Sequence, residues 1–89
     1  MKTELELKEV SQIGEHARQV LNDPLIKSTL QDMRQQLYDN LETSPWQASD
    51  EREEIHRMLH VIRDFEKRLK KSVDSGKIAA AAINTMNQG

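Results

Sequence analysis

The sequence is 89 residues long, 36% hydrophobic and 3% aromatic, with no cysteine and with thirteen Lys and Arg against fifteen Asp and Glu, a net charge of −2. That length holds one domain and leaves no room for a second. The charge excludes the strongly basic balance of a dedicated nucleic-acid binder, and the absence of thiols excludes a disulfide framework, a thiolate zinc site and a cysteine nucleophile.

Burial has to come from Leu, Ile, Val and Met, so a core built from this chain alone is thin, and oligomerisation is expected to add to it. Met1-Lys2-Thr3-Glu4 leads into charged residues, with no apolar run of signal-peptide or membrane-span length behind it. The expectation is a soluble, cytoplasmic protein. Gly14, Gly76, Gly89, Pro24 and Pro45 are the only glycines and prolines, and most of them coincide with breaks in the apolar period.

An N-terminal helix is expected over about 3–21, with Val10, Ile13, Ala17, Val20 and Leu21 on one stripe, Thr3 as N-cap and Glu4 and Glu6 in the first turn. Gly14 inside it costs up to about 1 kcal/mol relative to Ala, which marks either a close packing contact or a weak point. Asn22-Asp23-Pro24 starts a second helix over about 24–42, Asp23 capping and Pro24 at the first position. Its seam is Ile26, Leu30, Met33, Leu37 and Leu41.

Pro45 breaks the chain between Thr43 and Ser49 by disfavouring helical geometry at Ser44. Trp46 in this loop is expected to fold back over the hairpin end, the other use of such a ring being a binding anchor. The third helix is expected over about 50–74, opened by an Asp50/Glu53 capping box and stopped by Ser75-Gly76. Its broad buried face is Ile55, Met58, Leu59, Ile62, Phe65, Leu69 and Val73. A short amphipathic segment over about 78–86 follows, with Ile78, Ala79, Ala82, Ile83 and Met86 on one face that needs something to pack on. Residues 87–89 should fray. The class is all-α, an antiparallel hairpin of the second and third helices with the first helix crossing or extending it.

His56 and His60 have the spacing of two metal ligands, with Glu53 one turn earlier, but they fall opposite the Ile55-Leu59-Ile62 face and Arg57 stands where a zincin needs its glutamate. They read as solvated surface residues, and His16 carries no further signal. Lys67, Arg68, Lys70 and Lys71, with Lys77 beyond, form the one basic concentration. They suit phosphate or an acidic partner surface, yet acid at the start and base at the end of a helix also follow its dipole. No aromatics interleave them, as single-strand binding would require. The second helix carries only Lys27 and Arg34 as basic residues, too few for a recognition helix. No glycine-rich phosphate loop, activated nucleophile or carboxylate pair in a cleft points to catalysis. Neither a cofactor, a metal nor a small-molecule substrate is implied.

The strings Asn22-Asp23-Pro24-Leu25, Thr43-Ser44-Pro45-Trp46, Asp50-Glu51-Arg52-Glu53 and Ser75-Gly76-Lys77-Ile78-Ala79 resemble small helical proteins of tailed bacteriophages. That resemblance implies a phage accessory or virion-assembly context, in the host cytoplasm or the virion, and brings no catalytic residue with it. The function expected is a non-enzymatic interaction or assembly module that oligomerises, with Trp46, Ile78, Ala82, Ile83 and Met86 as its surface. The alternative is a small nucleic-acid-binding regulator using Lys67 to Lys77.

Overall fold

Backbone N–H groups at a helix start need acceptors, and the sequence provides one at each of its first two starts. In the computed structural model, which describes residues 2–88, the Thr3 hydroxyl accepts from the Glu6 N–H at 3.2 Å and opens α1 (Glu4–Asn22). Asp23 closes α1 through its own N–H to the Val20 carbonyl at 3.2 Å. Its carboxylate accepts from Leu25 and Ile26 at 2.8 and 3.1 Å, so the same residue opens α2 (Pro24–Thr43). The turn between the two helices is therefore a single residue. Ser44 ends α2 in extended geometry, as the following proline requires, and its hydroxyl donates to the Leu41 carbonyl at 2.8 Å.

The third helix departs from expectation at both ends. It begins at Ser49, which puts Asp50 inside the first turn, so the Asp50/Glu53 capping box does not form; the Arg52 N–H bonds to the Ala48 carbonyl at 3.1 Å. It also runs through Ser75-Gly76 without a stop, giving α3 (Ser49–Gln88) 40 residues and a length of about 60 Å. Ile78 to Met86 is the last part of α3 and not a separate segment, and Asn87 and Gln88 are helical too. The expected fraying of Gly89 lies outside the described residues.

The reason is tertiary. None of the described glycines has positive φ, so Gly76 is not used as a left-handed cap. It is where α1 crosses. A Cβ built on Gly14 would lie 2.7 Å from the Gly76 Cα and 2.8 Å from the Ser72 carbonyl oxygen, and one built on Gly76 would lie 2.8 Å from the Gly14 Cα. Gly14 is thus a close-packing residue, and its partner is the other internal glycine. Ala17 and Ala79, three residues beyond each, are buried at 5% and 2% exposure. Small side chains at one spacing on both helices let the backbones approach this closely.

Val10 and Gly14 lie against Ser72 and Gly76, and Lys2 beside Asp64 and Lys67, so α1 runs in the same direction as α3 along its C-terminal half. The Arg34–Glu66 ion pair and the Ser44–Arg52 contact show α2 running antiparallel to α3. The α2/α3 hairpin is present but loosely closed. No residue of α2 is buried, and Ile26, Leu30, Leu37 and Leu41 are only half-buried. Met33, expected in this seam, is 45% exposed, and half-buried Arg34 takes the adjacent position through its bond to Glu66.

Candidate interaction surfaces

Buried apolar residues are few. Among the described residues, Ala17, Leu59, Ile62 and Ala79 form the core, and two of the four are alanines. Leu5, Ile13, Leu25, Val61 and Ile78 are at least 61% exposed. Trp46 is 80% exposed, so the ring does not fold back over the hairpin end. The expected C-terminal face is divided as well: Ala82 and Ile83 are half-buried, while Ile78 and Met86 are exposed.

The broad face expected on the third helix separates into two stripes. Ile55, Leu59, Ile62, Leu69 and Val73 are half-buried or buried against the other helices. Met58 and Phe65, expected with them, are 46% and 44% exposed and join Val61, at 64%, on an adjacent stripe. Between α2 and α3, Met33, Leu37, Met58, Val61 and Ile62 line an open apolar groove rimmed by Gln36, Glu54 and Arg57. Sequence reasoning missed this surface. The available signal was width, because seven apolar positions on one helix exceed what a single neighbour covers.

The basic cluster does not act as one patch. Lys67, Arg68 and Lys71 line a groove against α1 with Lys2, Val10 and Ile13. Lys70 faces a different groove, of about 890 Å³, with Arg18, Lys27 and Arg34 opposed by Glu66 and Asp74. Lys77 is exposed. The Arg68 guanidinium donates to Asp64 at 2.7 Å, a bond that holds the Asp64 carboxyl below its ordinary range. On α1, the hydrogen bond from Arg18 similarly lowers the Glu15 carboxyl, while Glu15 raises Arg18.

His56 and His60 are exposed, and Arg57 between them pairs with Glu53 at 3.7 Å and Glu54 at 3.2 Å. No group of three or more His, Asp or Glu side chains able to hold a metal occurs among the described residues. No described helix is long and apolar enough to cross a membrane. No family model matches the chain, and comparison with curated proteins and with solved structures found no match.

Proposed function

We propose that this chain is a non-enzymatic helical interaction and assembly module that self-associates. The observation that carries the reading is its surplus surface. The chain exposes 7093 Å², against roughly 5,400 Å² expected for a compact monomer of 10.3 kDa. The surplus exceeds the roughly 800 Å² that one partner contributes to a stable interface. The resemblance to helical proteins of tailed bacteriophages supports placing the module in a phage accessory or virion-assembly role. Light scattering across a concentration series tests the reading: a mass of two or more chains is expected, and a single-chain mass at every concentration would remove it.

A second reading, binding of a polyanion such as nucleic acid, is favoured by the groove that gathers Lys2, Lys67, Arg68 and Lys71 around a single carboxylate, Asp64. Binding no tighter than micromolar at physiological salt is expected from an overall acidic chain. Lys67→Ala with Lys71→Ala should weaken it more than Lys70→Ala, which changes the opposite groove. Equal losses from both would exclude this groove as the site.

A further inference from the structure

The first half of α3 has a neighbour on one side only. α1 starts beside Asp64 and Lys67 and continues toward the C-terminal end, so the stretch before residue 64 packs on α2 alone. On its uncovered side stand Met58 and Val61, with Met33 of α2 beside them, and exposed Phe65 follows one turn on, just past the start of α1. The order of side chains around Val61 is self-complementary. Glu54 lies seven residues before it and Arg68 seven after; Arg57 lies four before and Asp64 three after; Met58 lies three before and Phe65 four after. Turning a second copy of the helix end for end about Val61 therefore brings Glu54 to Arg68, Arg57 to Asp64 and Met58 to Phe65, with Val61 meeting itself.

We propose that a second copy of this chain docks antiparallel on this face, with the two-fold axis at Val61 and the two α2/α3 hairpins forming a four-helix bundle. The inference rests on the self-association reading and names its surface. A two-fold interface presents one patch to itself, so each contact occurs twice and the patch must complement its own reverse. Apolar side chains lie at the centre of this stripe, with Glu54 and Arg68 at equal distances from it and Arg57 and Asp64 four and three residues away. Such charges specify orientation more than they add affinity. A parallel arrangement would stack Glu54 on Glu54 and Arg68 on Arg68. Both charges are exposed, the Glu54 and Arg68 side chains at 55% and 79%, with Arg68 at the edge of the groove against α1. Their present bonds to Arg57 and Asp64 are local to α3 and would extend into a network across the interface.

The absence of cysteine from these 89 residues gives a direct test. Val61→Cys replaces an exposed residue and leaves the fold intact. In the antiparallel dimer its two sulfurs meet at the axis, within the roughly 7 Å Cα separation a disulfide tolerates. Mild oxidation should convert this variant to a covalent dimer, while Leu5→Cys, Leu25→Cys and Ile78→Cys controls remain uncrosslinked. Alongside, Glu54→Arg alone or Arg68→Glu alone should weaken dimerisation about tenfold through two repelling pairs, and the two together should restore it to within about twofold. A chain that is multimeric by light scattering but crosslinks through a control position, or whose double charge exchange is as weak as the single ones, overturns this surface and leaves self-association standing. A single-chain mass overturns both.

Discussion

Gly14 and Gly76 bring the α1 and α3 backbones into close contact, and the sign of one substitution reports on it. Alanine in place of a glycine in a free helix gains about 1 kcal/mol of helix propensity. At Gly76 the added methyl would meet the Gly14 Cα at 2.8 Å, which is backbone and cannot swing aside. Overpacking of this kind costs about 1–3 kcal/mol, so Gly76→Ala should lower the denaturation midpoint; a raised midpoint would show that the helices do not meet there. Trp46 gives the opposite expectation. Being 80% exposed, it should tolerate Trp46→Ala with less than about 0.5 kcal/mol of change in chemical denaturation. The Asp64 carboxyl, lowered by the Arg68 hydrogen bond, contributes stability that is present above the ordinary aspartate value of 3.8 and is lost as pH falls through its lower folded value. Its exposure keeps that contribution small.

At the scale of elements, α3 is one helix of 40 residues whose second half depends on α1. Ending the chain after Gly76 removes buried Ala79 and half-buried Ile83 from the face that α1 covers. A 19-residue α1 is marginal without a partner. The helical circular dichroism should therefore fall by more than the deleted residues account for; a loss matching the deletion alone would show α1 holding elsewhere. The caps at Thr3 and Asp23, the break at Pro45 and the three apolar periods were legible in the sequence, because each depends on neighbouring residues. The fate of Gly76 was not. Ser-Gly after a basic turn is a common helix ending, and only the facing glycine, 62 positions earlier, makes it a crossing point. The 3-and-4 spacing of Leu69, Val73, Gly76, Ala79 and Ile83 continued across it and was the one available sign. Met58 and Phe65 were misplaced for a related reason: periodicity marks a helix's apolar arc but not which part of it a neighbour covers. Trp46 was misplaced because the gain from burying a ring does not show that the turn carrying it can reach the core.

The whole molecule is long and flat, 64 × 27 × 14 Å, with a radius of gyration of 18.8 Å. A compact chain of this length would have a radius of roughly 12 Å. The four apolar residues buried among the described ones, two of them alanines, give such a shape little stability of its own. Self-association would cover the Met58, Val61 and Phe65 stripe and make the folded state depend on protein concentration by mass action. The melting temperature of the full chain over a hundredfold range of concentration is the most direct test of that dependence. A rise of about 5 °C or more from the lowest to the highest concentration is expected of a self-associating chain. A melting temperature that stays constant across the range would contradict it.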